Sequence, residues 1–459
     1  MNILIASRYV EPFPQSSNRN VYLQAQALKN IFGFNCQILT WPSNDQWTGH
    51  RSSTQPSPLI RQDREGMTYW IFNAPIEWDA IAGGNIISDS DWQDAIRYAK
   101  KILKQLAPDI VHLHHRHGLW WILEAAQDLN IPTIYTNHDW GIPCLRTTLV
   151  QGDGNLCDGI CEIQKCARCI EDGRKSLLAR INERLVKYEF FASLIRLFKS
   201  IPYFKYYLYR RQVVDQSSVK RVATNLERAN RALSNLHHCI VPSQFAKRFF
   251  LEAGCKGSQI TILPWYASPI KETRRLPSTD RLPPTITYVG RISPEKGLDW
   301  ILSCLEFDTK LHPINIRIAG AIDSPFAHQL FKKYPAFCGR HSLSWLGWAS
   351  ESQIYDSTHA ILLPSLWMDN TPLTLIEAFA NKIPVIASDI PTFREFINVN
   401  ENGFLFTMYD QASFIKCLID FTSYADIYDQ KSEPKIFPSI DSLDQYAEKV
   451  AKIYINTLA

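Results

Sequence analysis

No apolar run in this 459-residue sequence approaches the roughly 18 to 20 residues that a membrane-spanning helix needs, so no helical span is predicted. The opening stretch, MNILIASRYV, lacks a basic leader and a cleavage signal. Its alternating Ile, Leu and Ala read as a buried first strand rather than an export sequence, and the expected location is the cytoplasm. Neither a repeat of the 20 to 50 residue kind nor a low-complexity tract occurs, which excludes solenoids and arrays. Charged residues are sparse, at 20% against 46% hydrophobic and 12% aromatic, which excludes a disordered chain. What remains is a globular protein too long for one ordinary core, so two domains are expected.

The net charge of +4 conceals an uneven distribution. Residues 174–231 hold 14 Lys or Arg against 4 Asp or Glu, a balance of +10, which leaves the rest of the chain at −6. Eleven cysteines without a secretion signal are read as free thiols or metal ligands rather than disulfides.

Short apolar runs alternate with amphipathic stretches through the first half: MNILIAS, VYLQAQALKNIF, NCQILT, DWQDAIRYAKKILKQL, DIVHLHH, TIYTNHD. This βαβ rhythm predicts an α/β fold with a mostly parallel sheet covered on both faces. The rhythm resumes at HHCIVPS and ITILPWY, and the Pro-rich polar stretch SPIKETRRLPSTDRLPP reads as a linker. A second series follows: TITYVGR, GLDWILSCLEF, INIRIAGA, LSWLGW, AILLPS, LTLIEAFANK and PVIASD. The boundaries drawn are an N-terminal Rossmann-like domain over 1–265 with an insertion at 144–235, a linker at 266–284, a second such domain over 285–438, and a closing helix at 439–459. Two doubly wound domains imply a cleft between them, with the chemistry on loops that follow strands.

Two loops carry candidate chemistry. In GRISPEKGL, Arg291 and Lys296 can face one point near a helix start, which suits a diphosphate; the alternative is a surface turn with solvated charges. In LLPSLWMDNTPLTLIEAF, a strand ends at Pro364 and a helix begins near Leu373, so that Asp369 and Glu377 frame the turn between them. Carboxylates suit sugar hydroxyls, and backbone N–H groups at Asn370, Thr371 and Leu373 can donate to ligand oxygens, Pro372 having none. The alternative is an acidic cap and a first-turn Glu that stabilise the helix.

The acid pair, with a small-residue helix and PVIASD after it, resembles the signature of glycosyltransferase family 4, retaining enzymes of the GT-B fold. The resemblance runs through MNILIASRYVEPFP, DIVHLHH, TNHD, CIVPSQF with ITILPW, YVGRISPEKGLDW and WLGW, in order along nearly the whole chain. It implies an N-terminal acceptor domain, a C-terminal donor domain, and a final helix, SLDQYAEKVAKIYINTLA, that crosses back onto the first. By the same resemblance Arg291 and Lys296 hold the donor diphosphate, Glu377 the ribose and Asp369 the hydroxyls of the transferred sugar, while His138 in TNHD lies beside the reacting sugar. The cations would stabilise charge on the leaving diphosphate, so no cofactor or divalent metal is required for catalysis. Two departures stand out: the first acid is usually Glu and is Asp369 here, and the glycine pair after the first strand is replaced by Ser16 and Ser17. His112, His114, His115 and His117 in VHLHHRH are read as strand and exit-loop histidines rather than metal ligands.

Directly after TNHDW, the stretch GIPCLRTTLVQGDGNLCDGICEIQKCARCI holds Cys144, Cys157, Cys161, Cys166 and Cys169. Cys166 and Cys169 form a CxxC pair that Cys144 and Cys157 would complete as a tetrahedral structural zinc site; free thiols or a redox pair are the alternatives. The stretch FFASLIRLFKSIPYFKYYLYRRQ interleaves aromatics with Lys and Arg, fitting either an anionic membrane surface or a helical hairpin over the first domain. The expected partners are a nucleotide-diphosphate sugar and a glycan or lipid-linked acceptor, with no nucleic acid, because the basic stretch carries no recognised binding motif. A surface-polysaccharide hexosyltransferase is therefore the principal expectation. A non-catalytic sugar-nucleotide or glycan-binding module is the rival supported by Asp369 and the missing glycines; a zinc-dependent nucleic-acid binder would leave the second-half motifs unexplained.

Overall fold

The computed structural model describes residues 1–7, 16–40, 59–72, 87–114, 119–152, 154–171, 214–269, 283–428 and 437–459. Several sequence expectations fall wholly or partly outside these residues: His115 and His117, the end of the opening motif, much of the insertion 144–235 with the aromatic and basic stretch 190–212, and most of the linker.

Two compact units form. The first comprises Met1–Val241, Ala246–Ile262 and Glu448–Ala459, the second Pro242–Phe245 and Leu263–Ala447. The first unit contains β1 (Asn2–Ala6), β2 (Asn35–Thr40), β3 (Ile60–Arg64), β4 (Met67–Ile71), β5 (Ile110–Leu113), β6 (Thr133–Thr136), β7 (His238–Val241) and β8 (Ile260–Ile262). They form one sheet in the order β3-β4-β2-β1-β5-β6-β7-β8, parallel except at β3–β4. β1, β5 and β6 are short apolar runs with nearly every residue buried, as a parallel sheet covered on both faces demands. The covering helix Asp89–Leu106 buries Trp92, Ala95, Ile96, Ala99, Ile102 and Leu103, one face at the 3.6-residue period, and starts where the Ser88 hydroxyl accepts from Asp91 N–H.

The second unit has β9 (Thr285–Val289), β10 (Asn315–Ala319), β11 (Phe337–Cys338), β12 (His341–Gly347), β13 (Ala360–Leu363), β14 (Val385–Ser388) and β15 (Gly403–Phe406). Their order is β11-β12-β10-β9-β13-β14-β15, parallel except at β11–β12. At the centre Thr287 of β9 pairs with Arg317 on one side and Ile361 on the other. The core here is built from Ile286, Tyr288, Ile318, Leu362, Phe404 and Phe406 with the helices around them. The chain order reverses between β9 and β13, and it is outside the carboxyl ends of such a pair that open α/β sheets receive ligands.

The closing helix, Leu443–Leu458, begins in the second unit, where Tyr446 stacks on Trp265, and ends in the first, where the Tyr454 hydroxyl bonds His112 Nδ1 at 2.6 Å.

Candidate functional site

β9 and β13 each deliver a loop to the switch point. After β9 the chain passes Arg291 and makes a short 3-10 turn, Pro294–Lys296, closed by Gly297 at φ +74°. A Cβ on Gly297 would stand 1.9 Å from the Pro364 carbonyl oxygen, so only glycine lets this turn lie against the loop that leaves β13. The Leu366 N–H donates to the Glu295 carbonyl at 2.8 Å and binds the two loops together.

This closure brings Lys296 to Asp369: the ammonium donates to Asp369 Oδ2 at 2.5 Å, and the Ser365 hydroxyl donates to the same oxygen at 2.8 Å. Lys296 Nζ also sits 5.3 Å from the centre of the Trp367 ring. Asp369 is only 5% exposed, and the Thr392 hydroxyl donates to its carbonyl at 2.6 Å. Arg291 is turned elsewhere, to Glu295 at 2.8 Å, with most of its side chain in solvent. Below them the Tyr288 hydroxyl donates to the Arg291 carbonyl at 2.6 Å. Burial, then the nearby Asp369 and Glu295 carboxylates, push that phenol up, so it stays a donor.

The loop continues through buried Asn370 and Thr371 into the helix Leu373–Ala380. Thr371 is β-branched yet held at φ +49°, and among the described residues its buried hydroxyl oxygen has no partner. Pro372 is the N-cap and no side chain caps the helix, which leaves first-turn N–H groups directed at whatever lies beyond it. Glu377 lies in the second turn, where the Tyr355 hydroxyl donates to its Oε2 at 2.6 Å.

Thus Lys296 and Asp369 meet, whereas Arg291 and Glu377 are engaged by Glu295 and Tyr355. Ser365, Trp367, Glu295, Thr392 and Tyr355 escaped sequence reasoning. Ser365 and Trp367 were detectable, since they share a strand-exit loop with Asp369; Tyr355, 22 residues from Glu377, had no such signal.

The first unit holds the remaining candidates. His112 on β5 is fully buried between Tyr454 and Thr136, the latter at 2.7 Å from Nε2, and burial, with His238 adding to it, pulls its pKa down to about 3. His114 Nδ1 lies 3.0 Å from His138 Nε2, so the TNHD histidine is held by a buried neighbour from β5's exit. Ser16 and Ser17 open the helix Ser16–Phe32.

The eleven cysteines are free thiols. Cys144, Cys157, Cys161, Cys166 and Cys169 line one cavity of about 30 Å³. Cys161 hydrogen-bonds to Cys166, which holds the Cys161 thiol up and the Cys166 thiol down. Burial raises Cys157 to about 11 and Cys169 to about 12. Among the described residues no three His, Cys, Asp or Glu side chains already converge as a metal shell.

The chain is similar to known proteins. The family model for Glycosyl transferases group 1 matches residues 270–431, and that for Glycosyltransferase Family 4 matches 89–160. Both models describe glycosyltransferases, and each covers less than half of this chain. The chain is 24% identical over 152 residues, 32% of this chain and 39% of the other, to an uncharacterized 41.2 kDa protein in the cps region of Klebsiella pneumoniae. To the Escherichia coli UDP-Gal:alpha-D-GlcNAc-diphosphoundecaprenol alpha-1,3-galactosyltransferase it is 25% identical over 176 residues, 37% of this chain and 45% of that one. These matches span less than half the length of either relative. A glycosyltransferase from Rickettsia africae ESF-5 superposes with a TM-score of 0.60 at 14% identity, covering 99% of this chain and 98% of that one. The two parallel-dominated sheets are accordingly the GT-B fold.

Proposed function

We propose that the protein transfers a sugar from a nucleoside-diphosphate sugar to a glycan or lipid-linked acceptor, with retention at the anomeric carbon, in surface polysaccharide synthesis. The observation that carries this reading is the β9–β13 switch point: a cation, a buried carboxylate, a strained Thr371 and an uncapped helix start meet at two strand exits. The acceptor class draws support from the E. coli relative, named for a UDP-galactose donor and a diphosphoundecaprenol acceptor.

In this reading Lys296 and Arg291 bind the diphosphate and stabilise its charge as it leaves, which is the electrostatic contribution that transfer needs, and no divalent metal takes part. Asn370, Thr371 and Leu373 present backbone N–H groups to the donor, and Glu377 receives the ribose hydroxyls. Asp369 accepts from the transferred sugar's hydroxyls, and His138 stands on the acceptor unit's side of the reaction. Lys296 then exchanges part of its bond to Asp369 for the diphosphate. Among the described residues no helix is long and apolar enough to cross a membrane. The protein is proposed to act at the cytoplasmic face, with the basic stretch 190–212 against anionic lipid.

A binding and slow-hydrolysis panel of sugar nucleotides tests the reading, comparing wild type with Glu377→Ala and Arg291→Ala. One donor is expected to bind and turn over slowly, and each variant to bind it about tenfold to hundredfold more weakly, the range for a lost charged hydrogen bond. Failure of every donor to bind, with or without membranes, overturns it in favour of a glycan-binding module.

A further inference from the structure

Between β6 and the helix Gln216–Ser234, the described residues 137–152 and 154–171 hold one helix, Ile163–Glu171, and one isolated bridge, Val150 to Leu156. Their buried apolar cluster is small, Leu145 and Ala167 against Val222. They nevertheless keep Thr147 at φ +61° and Leu149 at φ +49°, conformations that non-glycine residues hold only when their surroundings impose them. In these described residues turns and loops outweigh regular structure, and a staple would hold them in place.

The cysteines lie where such a staple would sit. All five surround the same cavity, whose volume of about 30 Å³ suits an ion or a water rather than an organic ligand. Arg146 and Lys165 line the same cavity; Lys165 is ion-paired with Asp158, so Arg146 is the main counter-charge to the double negative charge of a divalent ion held by four thiolates.

We propose that this cavity is a thiolate site for one zinc ion, with Cys161 and Cys166 among four ligands drawn from the five cysteines. Four sulfurs in tetrahedral array are the usual closed shell of a structural zinc. Binding releases the four thiol protons to solvent. Closing the shell requires the thiols to turn about χ1 into other staggered wells, since no three yet converge. The strained turn at Thr147 and Leu149 is what carries Cys144 to the cavity. The site is independent of the donor loops and stands or falls apart from the proposed transfer reaction.

Elemental analysis of the purified full-length protein is expected to give about one zinc per chain. Chelator-stripped protein loaded with cobalt(II) alone should show sulfur-to-cobalt charge transfer and the intense visible bands of a tetrahedral centre. Cys161→Ser with Cys166→Ser should lose both signals. Because loss of a structural metal destabilises the fold that it closes, the cobalt spectrum of the wild type is the deciding measurement. Its absence, a Cys161–Cys166 disulfide in the isolated protein, or a folded double variant with undiminished zinc each overturns the site.

Discussion

Lys296 has two partners here, the Asp369 carboxylate at 2.5 Å and the face of Trp367, and Asp369 has a second donor in Ser365. A carboxylate so buried and deprived of its cation is destabilising, by about 3 kcal/mol where nothing replaces the charge. The Ser365 hydroxyl moderates that loss without cancelling it. Lys296→Ala is therefore expected to lower stability more than Lys296→Ala combined with Asp369→Asn, and urea denaturation of the four proteins in the cycle should yield a coupling of about 1–3 kcal/mol. Equal losses in the single and double variants would mean that the pair is solvated rather than a built part of the loop. Gly297 offers a separate check on the same closure. Alanine there meets the Pro364 oxygen and inherits a left-handed φ, so a loss of at least about 2 kcal/mol is expected, together with weakened donor binding.

At the scale of elements, strands at the centre of each sheet were legible because burial on both faces leaves a run of apolar residues: NILIA, IVHL, TITYV and AILL all read directly. The β3–β4 hairpin was not, since its IRQDR strand is largely exposed and the turn rests on Glu65 and Gly66 at positive φ. The candidate site divides in the same way. Lys296 and Asp369 are 73 residues apart but both leave central strands, so topology pairs them. Cys161 was passed over for the CxxC pair, although it is the residue bonded to Cys166. The bond between His112 and Tyr454 spans 342 residues, and no local spacing announces it. That bond fastens β5 and, through Thr136, β6 to the closing helix, with a histidine whose pKa is held near 3 against the ordinary 6.5. As pH falls below 6.5 the unfolded chain takes up a proton that folded His112 refuses, so this contribution is complete above 6.5 and declines toward about 3. Denaturation midpoints measured between about pH 7 and about pH 4 should fall less steeply for His112→Asn than for wild type, although the variant starts lower. Parallel curves would mean that His112 takes up its proton at the same pH in the folded and unfolded chain.

Over the whole molecule, each unit has its own sheet and its own buried core, and among the described helices Gln244–Glu252 and Leu443–Leu458 have residues in both. A ligand stabilises the cooperative unit that holds it, by about 2.7 kcal/mol at a hundred times its dissociation constant. The proposed donor loops lie in the second unit and the cysteine cavity in the first, so the two ligands act on different cores. Calorimetry should resolve two transitions. A nucleoside diphosphate is expected to raise one and leave the other in place, and Cys161→Ser with Cys166→Ser to lower only the other. Should both perturbations move a single transition, the closing helix, tied to Trp265 through Tyr446 and to His112 through Tyr454, joins the two cores into one cooperative system. Tyr454→Phe, which removes the hydroxyl that reaches His112, would then split that transition.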